Sequence, residues 1–144
     1  MQTTLFRIKS LVIGLVLAAS TAVALAAAKV VYHVDDTATQ ATRTLRSLRN
    51  HLDVAPKTKI TVVALGDGVE FLMEGARDDK NNLEYASLVS DLKTRGVDFE
   101  VCELTIEKKN IDKSKFVLEA TFTKSGVVRI TELQNQKRFA YIKP

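Results

Sequence analysis

The amino-acid sequence predicts an α/β domain of three layers, with a mostly parallel five-stranded sheet between helices. Three observations predict it. Short apolar runs at Val30–Val34, Ile60–Leu65 and Val97–Cys102 have the length of buried strands. Stretches with apolar residues at helical intervals fall between them, and Gly, Pro or Asp punctuates the junctions. At 144 residues the chain suits one domain, and a charged fraction of 26% beside an apolar fraction of 46% excludes a disordered one.

The N-terminus reads as a secretory signal peptide over residues 1–28. Arg7 and Lys9 form a positive region, Leu11 to Ala19 an apolar one, and Ala24-Leu25-Ala26 and Ala26-Ala27-Ala28 both offer small residues for cleavage, near Ala26 or Ala28. The alternative is an uncleaved anchor, since Leu11 to Ala28 approaches the length of a membrane span. Ser20, Thr21 and the Ala-rich end favour cleavage, which leaves residues 29–144 as a periplasmic or otherwise exported domain without stable membrane insertion. Without Arg7 and Lys9 the formal charge falls from +4 to +2, and no Lys/Arg stripe interleaves with aromatics, so nucleic acid is not an expected partner.

Taken in order, Val30–Val34 is a first strand, interior to the sheet because only His33 breaks its apolar run. Thr37-x-x-Gln40 has capping-box spacing, and Ala38, Ala41, Leu45, Leu48 and Leu52 mark one face of a helix whose wet side carries Arg43, Arg46 and Arg49. A loop with Pro56 returns to a second strand, Ile60–Leu65, whose lack of alternation suits burial on both faces. Gly66-Asp67-Gly68 leads into a short helical turn that Val69, Phe71 and Leu72 begin and that ends near Gly75, followed by a charged loop from Arg77 to Asn82. Asn81-x-x-Glu84 fits a second capping box, for a helix with Leu83, Ala86, Val89 and Leu92 inward, closed by Gly96. Val97, Phe99 and Val101 then alternate with Asp98, Glu100 and Cys102 as a third strand, before a polar segment of weak helical character. A strand around Ala120 to Phe122, a helix capped by Ser125 with Val127, Ile130 and Leu133 on one face, and a strand from Phe139 to Ile142 complete a flavodoxin-like arrangement.

Cys102 is the lone cysteine, placed at the carboxyl end of a strand beside a helix start. Ligands gather at such ends, and helix N–H groups lower a thiol's pKa, whereas Asp98, Glu100 and Glu103 oppose a thiolate. Cys102 therefore reads either as a reactive thiol or as a small buried apolar residue. His33 is a candidate helper, if the first strand neighbours the third, or a structural histidine. Gly66, Asp67 and Gly68 form either an anion cradle or a tight turn. No set of His, Cys and Asp has metal-ligand spacing, no G-x-S-x-G turn suggests a hydrolase, and no cofactor is called for.

Lys29-Val-Val-Tyr-His-Val-Asp35, Gly66-Asp-Gly-Val-Glu-Phe-Leu72, Leu92-Lys-Thr-Arg-Gly-Val97 and the Val101-Cys102 junction with Ile111-Asp112 together resemble the DsrE/DsrF-like family. The likeness spans essentially all of the chain after the leader and rests on the order and spacing of the four segments. It implies a small α/β protein that assembles as a homo-oligomer, a trimer or hexamer, and in which the cysteine matching Cys102 carries sulfur as a persulfide. The implied partner is a small sulfur species or a sulfur-donor protein, and the implied role a sulfurtransferase-like carrier rather than a turnover enzyme. The rival reading is a non-catalytic oligomer binding a small anion or partner, with Cys102 only lining its pocket.

Overall fold

In a computed structural model, residues 27–144 are described, so the proposed leader up to Ala26 lies outside the described residues. The chain runs β1 (Lys29–Val34), α1 (Thr37–Val54), β2 (Lys59–Ala64), a 3₁₀ helix (Gly66–Leu72), β3 (Arg77–Asp78), β4 (Leu83–Glu84), α2 (Tyr85–Thr94), β5 (Asp98–Cys102), α3 (Glu103–Lys108), a 3₁₀ turn (Lys113–Lys115), β6 (Ala120–Thr123), α4 (Gly126–Asn135) and β7 (Ala140–Ile142). Five strands make the main sheet in the order β6-β5-β2-β1-β7, and every pair in it is parallel. The expected α/β architecture is therefore present, with the first two strands and the cysteine strand all interior.

Helix α1 forms where the apolar spacing predicts it, but Asp36 rather than Thr37 caps it. The Asp36 carboxylate accepts the Thr39 N–H at 2.8 Å, while the Gln40 side chain accepts the Asp35 N–H at 2.9 Å. Thr37 instead ties the helix start to the 3₁₀ segment, because its hydroxyl donates to the Asp67 carbonyl at 2.8 Å and accepts the Phe71 N–H at 3.0 Å. Ala41, Leu45, Leu48 and Leu52 are buried as expected, but Ala38, in the first turn, is exposed.

The charged stretch expected as a loop is a small antiparallel hairpin, β3 with β4. Asp78 organises it, accepting the N–H groups of Lys80 and Asn81 and the Thr42 hydroxyl. Asn81 is thus part of a turn and not a helix cap; α2 starts later, at Tyr85, with Glu84 as a cap that makes no side-chain hydrogen bond. Tyr85, Val89 and Leu92 are its buried residues.

The two faces of the sheet are covered unequally. On one, Tyr32, Val34, Val62, Phe99 and Val101 pack beneath α1, α2 and the 3₁₀ helix in the larger core. On the other, Val31 and Val63 meet Ile130 and Leu133 of α4, with Phe139 beside them. Val127, expected on the buried face of α4, is 64% exposed. Alternation in β5 also misleads about exposure: Glu100 is only 9% exposed, because Arg129 of α4 covers and pairs with it.

Candidate functional site

Cys102 is the last residue of β5 and the N-cap of α3, and it lies on the sheet face that α4 covers. Its sulfur accepts the N–H of Gly126, the first residue of α4, at 3.2 Å. The approach is close: a Cβ at position 126 would meet Leu65 Cδ2 at 2.9 Å and Cys102 Cβ at 3.3 Å, so a larger residue there would have to displace the Leu65 side chain. The Leu104 N–H donates to the Lys124 carbonyl at 3.3 Å, which ties the start of α3 to the segment leading into α4. Two helix starts thus converge on one thiol, and their N–H groups complement negative charge.

Burial acts on this thiol most strongly and pushes its pKa up. The Thr105 hydroxyl, the Gly126 N–H and the N–H groups of Thr105 and Leu104 together outweigh burial, leaving Cys102 below the ordinary thiol value. Thr105 also links the thiol to the glycine turn, since its Oγ1 accepts the Gly66 N–H at 3.2 Å. The residue is buried, at 6% exposed. In the first turns of α3 and α4, Leu104, Val127 and Val128 are exposed.

His33 does not join this site. It lies on β1, which β2 separates from β5, so two strand spacings of roughly 10 Å in all intervene. Its Nδ1 shares a hydrogen bond with the Tyr141 hydroxyl at 2.8 Å, and Nε2 is buried without a partner among the described residues. Burial lowers its pKa, opposed by Asp35 and assisted by Lys143. The helper role expected from an adjacent first and third strand is corrected by this strand order.

The glycine turn is likewise committed within the chain. The Gly66 N–H goes to Thr105 and the Gly68 N–H to the Leu65 carbonyl at 3.0 Å, while the Asp67 carboxylate pairs with Lys109 at 2.5 Å. Gly68 is required by packing, because a Cβ there would fall 2.3 Å from the Val34 carbonyl oxygen. Of the two readings of Gly66, Asp67 and Gly68, anion cradle or tight turn, these internal bonds favour a turn that braces the ends of β1 and β2. Among the described residues no group of His, Cys, Asp and Glu is arranged to hold a metal ion, and no helix is long and apolar enough to cross a membrane. A cleft of about 180 Å³ opens elsewhere, between Leu45, Arg46 and Arg49 of α1 and Leu88, Asp91 and Leu92 of α2; none of the candidate residues lines it.

Sequence reasoning finds Cys102 and misses its partners. Gly126 and Thr105 carry no motif, and the pairing of Glu100 with Arg129 spans 29 residues, so only the fold brings them together.

Fold and site define a parallel α/β protein with one enclosed thiol where a strand meets two helix starts. The profile of the DsrE/DsrF-like family matches residues 16–144, and the chain belongs to that family, which is associated with sulfur relay. Among solved structures it is similar to the protein of unknown function MTH1491 from Methanobacterium thermoautotrophicum, at 28% identity and a TM-score of 0.72, over 81% of this chain and 99% of that one. It also resembles the ychN protein of E. coli at a TM-score of 0.66, over 83% of this chain and 100% of that one; at 9% identity this is a likeness of fold. No curated protein matches the chain.

Proposed function

We propose that this protein accepts a sulfur atom on Cys102 and passes it on as a carrier. The observation that carries the reading is the thiol's enclosure by N–H donors, which favours its anion. The Cys102 thiolate attacks the outer sulfur of a donor persulfide; an S–S bond forms at Cys102 Sγ as the donor's S–S bond breaks, and the donor leaves as a thiolate. An acceptor thiolate then takes the outer sulfur by the same exchange and returns Cys102 to its thiolate. No outside oxidant is needed, since the transferred sulfur keeps its oxidation level. Neither His33 nor a metal takes part in these steps.

The family implies that the carrier is a homo-oligomer, and the leader implies that it works after export. The test is intact-mass measurement of the purified protein after incubation with a persulfide donor. The carrier gains mass in units of one sulfur and Cys102→Ser gains none; an unmodified wild type, or equal labelling of the variant, defeats the reading. Sedimentation tests the oligomer, and N-terminal sequencing of exported protein tests cleavage near Ala26 or Ala28.

A second reading is favoured by the 6% exposure of Cys102: an oligomer that binds a small anion or partner, with the thiol only lining the site. Protection of Cys102 from alkylation until the protein unfolds, together with no sulfur uptake, selects that reading.

A further inference from the structure

The first turn of α4 has few anchors. Ser125 makes no side-chain capping bond, Val127 and Val128 are 64% and 56% exposed, and apolar anchoring begins at Ile130. Yet this turn carries the N–H that meets Cys102 Sγ. The β5–β6 ladder, up to Cys102 opposite Thr123, and the Leu104 N–H on the Lys124 carbonyl hold the chain just before this turn, and a side-chain contact holds the turn itself: Arg129 donates through Nε to Glu100 Oε2 at 2.7 Å and through its second terminal nitrogen to Glu100 Oε1 at 2.8 Å. Glu100 precedes Cys102 by two residues, hence on the same face of β5, and Arg129 follows Gly126 by less than one helical turn. The ion pair therefore joins the strand and the helix that supply the two ends of the sulfur's hydrogen bond. Two parallel N–H···O bonds set an angle as well as a distance, which a single contact does not.

We infer that Glu100 and Arg129 are positioning residues that hold the Gly126 N–H on Cys102. The inference rests on Cys102 being the reactive group, but it is read from the thiol's own titration and not from sulfur transfer. Stability alone does not account for the pair, because a buried ion pair is often matched or exceeded by apolar residues of similar volume. Of the other charges on the elements packed around the thiol, Glu103 pairs with Lys113, Asp98 with Lys93 at 3.1 Å, Glu107 with Lys124 at 3.7 Å, and Glu132 with Arg129 itself at 3.6 Å, while Lys108, at the end of α3, makes no ion pair among the described residues.

Glu100→Gln separates positioning from simple charge, since the two predict opposite signs. By charge alone, removing an anion near the sulfur and leaving Arg129 uncompensated lowers the thiol pKa. With the brace weakened, the N–H leaves the sulfur and the pKa rises by about one unit, a tenfold loss of thiolate at a pH below both values. Thiolate absorbance, taken as a difference from Cys102→Ser, reads this without requiring reagent access. Arg129→Lys keeps the cation but not the two-point contact, so its thiol also titrates higher; charge alone leaves it at the wild-type value. A thiol titrating at or below wild type in Glu100→Gln, or at the wild-type value in Arg129→Lys, overturns the inference. If Glu100→Gln does not fold, Glu100→Met/Arg129→Met decides, with a raised pKa in support and an unchanged one against. Failure of the carrier reading is distinguishable: wild type then gains no sulfur while the variants still shift the titration.

Discussion

The two faces of the sheet differ in what fills them. Under α1 and α2 the contacts are mainly apolar, with Phe71 edge-on to both Phe99 and Tyr85 at centroid distances of 6.5 and 6.2 Å, and with Gln40 and Thr44 of α1 the buried polar residues beside them. Under α4 a few apolar residues share the space with Thr61, His33, Glu100 and Cys102. The difference teaches that burial holds the sheet from one side, while the other side accepts polar groups that burial alone would disfavour. The candidate thiol lies on the second side.

The largest expected effect tests the first face. Phe99→Ala, at a fully buried position, is expected to lose about 3–5 kcal/mol in denaturant unfolding. Next, Leu48→Ala and Leu133→Ala remove the same side chain from the two faces, each nearly or fully buried. Leu133→Ala is expected near the lower end of the range of about 2–5 kcal/mol, and equal losses would break the comparison. Asp36→Ala removes the α1 cap and should cost about 1 kcal/mol in the same measurement.

The smallest effect sharpens the second face. Because the native thiol value lies below the unfolded one, the unfolded chain holds more protons between the two. The thiolate contribution to wild-type stability, read against Cys102→Ala, therefore rises with pH through that window, is complete above the ordinary thiol range, and is absent below the native value. Paired melting curves across the window check it, and parallel curves at every pH would remove the thiolate stabilisation.

Periodicity makes most of the fold legible. Val30–Val34 and Ile60–Ala64 read as interior strands because nothing in them asks for water, and Leu45, Leu48 and Leu52 announce their helix by spacing. The β3–β4 hairpin is hidden, since its strands are two residues each and their order comes from Asp78 side-chain bonds and not from β-forming residues. Strand order is hidden too, as spacing along a chain does not say which strands lie side by side; that is why His33 reads as a neighbour of Cys102 when it is not. At the site, Cys102 is legible by its address, whereas Glu100 looks wet because its partner is encoded in a distant helix.

The sheet's margins are its two shortest strands, β6 with four residues and β7 with three. Each leaves only a brief row of unpaired main-chain donors and acceptors, too short a template for another chain to extend the ladder. Short margins of this kind discourage edge-to-edge pairing, so lateral stacking into fibrils has little purchase on the native fold.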